Sequence, residues 1–346
     1  MHYLVFGTGA VGGLFGIRLA LAGQRVTFLA RPKLARVMQV QGIKIIGDGP
    51  PGRLQTPTVV SAVEQAFDPH PPDVVLLAVK AYDCQEAAEL IRETTSHPPA
   101  VVCLLNGIGN EATLASAIGV ERVIPATLTT AVQMIELGII SVERQRGCGL
   151  ANGHPLIPKI LSEMSMAGLN PHLYPNPDRM KWSKLLTNIV TNATSAITGW
   201  LPGRILDHPE LFRVEIEALR EAVRVMRRMG LSPQNLPDVP VGLLGRVIFL
   251  PESLIQPILR RVVSTGRGDK LPSFNFDIAR GRSEVHWLNG AVVREGAHLG
   301  VPTPANHILT EMMLDLVEGR VAHDQYRDRP EQLIQRALEA GVPGLH

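Results

Sequence analysis

His2-Tyr3-Leu4-Val5-Phe6-Gly7-Thr8-Gly9-Ala10-Val11-Gly12 opens the chain. Five apolar or β-compatible residues run straight into GxGxxG, and the positions that follow, 11–22, carry helical spacing. A glycine triplet between a strand and a helix is the context that a dinucleotide fingerprint requires. Gly7 then makes the tight turn, Gly9 lets a pyrophosphate approach the backbone, and Gly12 lets the helix pack closely on the strand. Free N–H groups and the positive dipole end of that helix suit an anion. The whole turn, Gly7, Thr8, Gly9, Ala10, Val11 and Gly12, is the candidate cofactor cradle.

Beyond this turn the pattern repeats. After Gly23 a second β-rich run at 25–30 completes a βαβ opening, and the runs 73–79 and 100–105 are almost wholly apolar. Such runs suit parallel strands covered on both faces. A crossover helix is expected over 83–93, a hairpin from 43–46 and 54–60 around GDGPPG, and sheet extensions at 123–132 and 139–143. Near Tyr174 the character changes. Long helical patterns follow at 178–198, 209–229, 251–263, 283–299 and 304–318, interrupted by a loop-like stretch at 231–272. The expected fold is α/β: a doubly wound Rossmann-type parallel sheet over residues 1–175 as the NADP-binding domain, then an all-α substrate and catalytic domain over 176–346.

Composition narrows the function. The 346 residues suggest about two domains at roughly 150 residues each. Lys plus Arg number 34 against 32 Asp plus Glu, so no overall basic field draws the protein to nucleic acid or an anionic membrane. No apolar run reaches the roughly 18 residues of a membrane span, and the start reads as structural, not as a signal peptide. Three cysteines without CxxC spacing and eleven histidines without HxxxH spacing indicate a reducing cytoplasm and no metal. A small-molecule substrate, no nucleic acid and no membrane are the expected partners; the assembly could be a homodimer.

Two segments specify the chemistry. NAD-binding folds usually place Asp or Glu after the second strand to hold the ribose 2′-hydroxyl. Here that place reads Ala30-Arg31-Pro32-Lys33, and no acidic residue precedes Asp48. NADP(H) is therefore the expected cofactor, with Arg31 forking onto the 2′-phosphate and Lys33 adding a looser charge. Farther on, a helix over 178–198 would gather Lys184, Asn188, Thr191, Asn192 and Ser195 within roughly 100° of its circumference. Asn and Thr disfavour helix by up to about 0.7 kcal/mol each relative to Ala, so something other than helix stability selects them. The stripe suits an oxygen-rich small molecule that needs one proton.

Taken together, these motifs resemble the ketopantoate reductase (2-dehydropantoate 2-reductase) family: GxGxxG, an Arg after the second strand, Asn106-Gly107-Ile108-Gly109 after a later one, and Lys184-Leu185-x-x-Asn188-x-x-x-Asn192 opening the helical part. The resemblance implies NADPH-dependent reduction of a 2-oxo acid. It also implies that Lys80 and Asn106 contact the cofactor, that Asn106, Asn188, Asn192 and Ser273 bind substrate, and that Lys184 and Glu284 are catalytic. The chain departs from the family's Ser-Met-x-x-Asp at Ser273-Phe274-Asn275-Phe276-Asp277. Lys184 would stabilise and protonate the developing alkoxide, and Glu284 would hold a substrate hydroxyl or position Lys184. Two alternatives stay open: a reductase of the same architecture acting on another 2-oxo or hydroxy acid, and a non-catalytic NADP-binding sensor.

Overall fold

Strand β1 (His2–Phe6) is buried along its whole length and sits at the centre of an eight-stranded sheet. The other strands of the chain are β2 (Arg25–Leu29), β3 (Ile43–Gly47), β4 (Gly52–Leu54), β5 (Thr58–Val60), β6 (Val74–Leu77), β7 (Ala100–Cys103), β8 (Val123–Leu128), β9 (Ala131–Glu136), β10 (Ile139–Arg144), β11 (Cys148–Ala151) and β12 (Pro171–Tyr174). The computed structural model describes residues 1–267 and 270–345. Gly268 and Asp269, within the stretch expected as a loop, lie outside the described residues. The chain divides into two units, Met1–Lys181 with Leu236–Val239, and Trp182–Asn235 with Pro240–His346.

In the first unit, the sheet order β5-β2-β1-β6-β7-β8 is parallel throughout, with β11 antiparallel to β8 and β12 parallel to β11. The strand order reverses beside β1, between β2 and β6, and the crevice beyond the carboxyl ends there is the ligand position of a doubly wound sheet. Successive residues of β6 serve opposite faces: Val74 and Leu76 join one core, Val75 and Leu77 the other. This explains the unbroken apolar runs, since both faces are covered. The helices here are α1 (Ala10–Leu21), α2 (Pro32–Gln41), α3 (Val63–Phe67), α4 (Cys84–Thr94), α5 (Asn110–Ile118) and α6 (Ile157–Met166).

A second sheet, ordered β4-β3-β10-β9, revises three expectations. The stretch 54–60 is split: β4 ends at Leu54 and pairs with β3, whereas β5 joins the main sheet beside β2. Only β8 of the later runs extends the main sheet; β9 and β10 belong to the smaller one. The distinguishing sign is alternation. Ile140 and Val142 are buried while Ser141 between them is not, the pattern of a sheet with one covered face. That face lies on α1, where a Cβ at Gly13 would come within 2.2 Å of Ile140 and one at Gly12 within 2.8 Å of Val5. The glycines thus let α1 fit between two sheets.

In the second unit, α7 (Pro177–Ile189, whose first turn belongs to the first unit) is followed by α8 (Asn192–Thr198), α9 (Pro202–Asp207), α10 (Pro209–Arg228), α11 (Val241–Val247), α12 (Glu252–Arg267), α13 (Phe274–Ile278), α14 (Asn289–Leu299), α15 (Pro304–Val317) and α16 (Pro330–Glu339). The expected single helix over 178–198 is broken: Thr191 has φ 54, and α8 begins after it. The stretch 231–272 is also more than a loop, because it contains α11 in addition to α12, which answers to the helical pattern expected over 251–263. Among the described residues, no helix is long and apolar enough to cross a membrane.

Candidate active site

The glycine turn follows from backbone geometry. Gly7 has φ 99, a left-handed conformation that side chains rarely adopt, and a Cβ there would lie 2.8 Å from the Ala78 carbonyl carbon. Gly7 therefore lets the end of β1 lie against Ala78-Val79, just past β6. Gly12 packs equally closely, but a Cβ on Gly9 would meet nothing within 4 Å. The open face at Gly9 adjoins the start of α1, which has no side-chain cap. Its unclaimed N–H groups fit a pyrophosphate. Thr8 Oγ1 donates to Leu29 O at 2.9 Å and ties the turn to the end of β2.

Arg31 comes two residues after that strand as the residue preceding α2. Its side chain is 91% exposed, with a guanidinium nitrogen 3.9 Å from Asp83. Lys33 is exposed beside it. Lys80, half-buried, immediately precedes a short turn whose Asp83 N–H bonds the Lys80 carbonyl at 2.9 Å. Asn106 is exposed in the loop between β7 and α5, and its carbonyl accepts from Asn110 Nδ2 at 2.9 Å. The first unit thus brings the glycine turn, the end of β2 and the end of β6 into one neighbourhood.

The second unit holds the remaining candidates. Lys184 and Asn188 are half-buried one turn apart on α7. Asn192 is 3% exposed, and both ends of its carboxamide are engaged: Oδ1 accepts from Phe274 N–H at 3.0 Å, and Nδ2 donates to Ser273 Oγ at 3.3 Å. Asn192 therefore holds the start of α13 as well as Ser273. At the other end of α13, Asp277 accepts from Glu284 N–H at 3.4 Å, and Glu284 is 5% exposed. So α13 connects Asn192, Ser273 and Glu284. The single polar stripe does not survive, because the chain turns at Thr191: Thr191, Asn192 and Ser195 are interior, and Ser195 Oγ bonds Trp200 O at 2.6 Å.

Sequence reasoning missed three buried charged residues, Glu215, Glu221 and Lys181, and the half-buried Glu111 that pairs with Lys181. Glu215 accepts from Thr191 N–H at 2.7 Å and from the Thr194 hydroxyl, so one carboxylate stabilises the left-handed residue and the first turn of α8. Glu221 accepts from the Ala305 and Asn306 N–H groups at 2.8 and 2.9 Å. Lys181 and Glu111 form an ion pair at 2.7 Å. The available signal was three glutamates, Glu215, Glu217 and Glu221, within the otherwise amphipathic pattern of α10. The cysteines are buried and free, and burial pushes the Cys84 and Cys148 thiols up to about 12, which removes them as nucleophiles.

Comparison with known proteins gives these parts a context. A family model described as ketopantoate reductase PanE/ApbA matches residues 3–152, and one for the C-terminal part of the same reductases matches residues 176–316. The 2-dehydropantoate 2-reductase of Halobacterium salinarum is 26% identical over 324 residues, covering 90% of this chain and 98% of that protein. The crystal structure of a PanE/ApbA family ketopantoate reductase from Ralstonia eutropha JMP134 is 26% identical, with a TM-score of 0.78 over 92% of this chain and 99% of that one. The ternary structure of D-mandelate dehydrogenase with NADH and anilino(oxo)acetate shares the fold, with a TM-score of 0.74 at 19% identity over 92% of this chain and 99% of that one.

Proposed function

The chain belongs to the ketopantoate reductase family, oxidoreductases that act on a CH–OH group and use NADPH, and on that premise we propose that it reduces 2-dehydropantoate to pantoate. The observation that best supports this substrate is the hydrogen-bonded set Asn192, Ser273 and Phe274 N–H, which links through α13 to Glu284. Residues 81 positions apart in the chain are brought together as a compact group of neutral donors and acceptors, with the buried Asp277 and Glu284 at the other end of α13. Such a group suits a substrate with a hydroxyl as well as a 2-oxo acid.

In this reading Gly7, Thr8, Gly9, Ala10, Val11 and Gly12 hold the pyrophosphate, Arg31 the 2′-phosphate, and Lys80 and Asn106 the nicotinamide side. The chemistry that NADPH supplies when bound is a hydride for the carbonyl carbon. The Lys184 ammonium stabilises the negative charge that develops on the carbonyl oxygen and gives it a proton. Asn106, Asn188 and Ser273 orient the substrate's carboxylate and carbonyl. Asn192 acts on both Ser273 and substrate, and Glu284 accepts a hydrogen bond from the substrate hydroxyl.

NADPH consumption over a panel of 2-oxo acids tests the substrate. A site that pairs a hydroxyl can reject the analogue lacking it by about 10⁴ or more. Ketopantoate should therefore exceed its deoxy analogue by that order in kcat/KM. Comparable efficiency on both would exclude ketopantoate as the selected substrate while leaving the reductase assignment in place.

A further inference from the structure

Lys181 is 5% exposed, and its ammonium makes three contacts, all inside the first unit: Leu105 O at 2.6 Å, Glu111 Oε1 at 2.7 Å and Ala126 O at 3.3 Å. Two backbone carbonyls and one carboxylate oxygen surround the ammonium. Burial by itself pushes this lysine's pKa down, but the Glu111 carboxylate opposes it, and the net direction is up. The lysine is therefore charged. Buried ion pairs add little stability compared with apolar side chains of similar volume, so stability alone is a weak reason for one here.

The acceptors show what the pair restrains. Leu105 directly precedes Asn106, so Lys181 fixes the peptide carbonyl on one side of that asparagine, while Asn110 Nδ2 fixes the Asn106 carbonyl itself at 2.9 Å. Upstream, Leu104 N–H is bonded to Leu77 O at 2.9 Å. Downstream come Gly107 and Gly109, with φ 88 and 105, a backbone region that residues with side chains rarely adopt. Glu111 lies in the first turn of α5, where a carboxylate also suits the helix dipole.

We propose that Lys181 and Glu111 are a positioning pair that sets the placement of Asn106 for hydride transfer. The inference rests on the reading of Asn106 as a residue of the nicotinamide and substrate side. Misplacement by about 1 Å can cost on the order of a hundredfold in rate. Because Lys181 acts only through the loop, cofactor held by the glycine turn and Arg31 should bind as before.

The test is a double-mutant cycle on the full chain. Lys181→Met with Glu111→Leu removes both charges and leaves neither charge without its counterion; urea unfolding checks that the variant folds. Expected are a turnover number lowered about tenfold to a hundredfold, an NADPH dissociation constant within about twofold of wild type, and less than about twofold further loss when the pair is removed in the Asn106→Ala background. A charge-free variant that turns over at the wild-type rate overturns the proposal. So do equal losses in both backgrounds, which would show that the pair acts elsewhere. An Asn106→Ala enzyme with wild-type turnover removes the reading of Asn106 and the proposal with it, and that failure is read in the single variant alone.

Discussion

At the scale of single residues, Arg31 and Glu221 show what was legible and what was not. The place of Arg31 was readable because it lies in the residues that directly follow β2, a position set by local sequence, and its 2′-phosphate role is the proposal to test. Losing a charge-assisted hydrogen bond costs roughly 1.5–3 kcal/mol. Arg31→Ala should therefore weaken NADPH binding about tenfold to 150-fold and leave NADH binding nearly unchanged; fluorescence titration with both cofactors decides, and equal losses remove the 2′-phosphate role. Glu221 was not readable, since its partners Ala305 and Asn306 lie 84 and 85 positions away. Burial raises its carboxyl to about 7, outweighing the three donors from Ala305 and Asn306 that favour the anion. A folded-state pKa above the unfolded value means that folding favours the protonated form. Stability is then fully present below pH about 4.5 and falls as pH rises toward 7, by on the order of 3 kcal/mol. Urea midpoints between pH 5 and 8 should show this decline in the wild type and a flatter profile in Glu221→Gln. An unchanged slope in the variant would assign the decline to another group.

At the scale of elements, the break between α7 and α8 is the main departure from a periodic reading. Nothing in Ile189-Val190-Thr191-Asn192 marks a helix end: there is no Gly or Pro, and a β-branched residue at positive φ is uncommon. The break is imposed from α10, whose Glu215 takes the Thr191 N–H that a continuous helix would have used internally. Glu215→Leu leaves that N–H and the Thr194 hydroxyl buried without an acceptor, at about 1–3 kcal/mol each. A drop of roughly 2–6 kcal/mol in unfolding free energy is expected by urea titration, and a drop within about 0.5 kcal/mol, the scale of a neutral surface change, would show that the break needs no such anchor. The break also revises Asn192. Its Oδ1 holds the start of α13, so Asn192→Ala should raise KM and also speed hydrogen exchange at Phe274, whereas Asn192→Asp, which keeps the acceptor, should retain the slow exchange. Fast exchange in both variants would mean that α13 is not held in this way.

On the scale of the whole molecule, the doubly wound sheet was legible because each central strand is covered on both faces and writes that fact as a continuous apolar run. The β3–β4 hairpin was legible, but its union with β9 and β10 in a separate sheet was not, because the two pairs come from distant stretches and their alternation reports one covered face without naming the partner. Strands β11 and β12 went unread for a simpler reason: each has four residues, one interrupted by Gly149 and the other opened by Pro171. The division into units has a kinetic consequence for the proposed reaction. Every candidate cofactor residue, from Gly7 to Asn106, falls in the first unit, and Lys184, Asn188, Asn192, Ser273 and Glu284 all fall in the second. Lys184→Ala should then lower turnover by about 10²–10⁴, the usual share of a general acid, with NADPH affinity unchanged. Arg31→Ala should do the reverse. If the two labours are separate, the loss in kcat/KM for the double variant is the product of the single losses, because residues without shared partners act additively in free energy. Single-turnover rates and NADPH titrations on the two single variants and the double variant measure this directly. A double variant no worse than Lys184→Ala alone would mean that the arginine's grip on the cofactor is spent in the same step as the lysine's proton, and that the cofactor and substrate roles do not separate by unit.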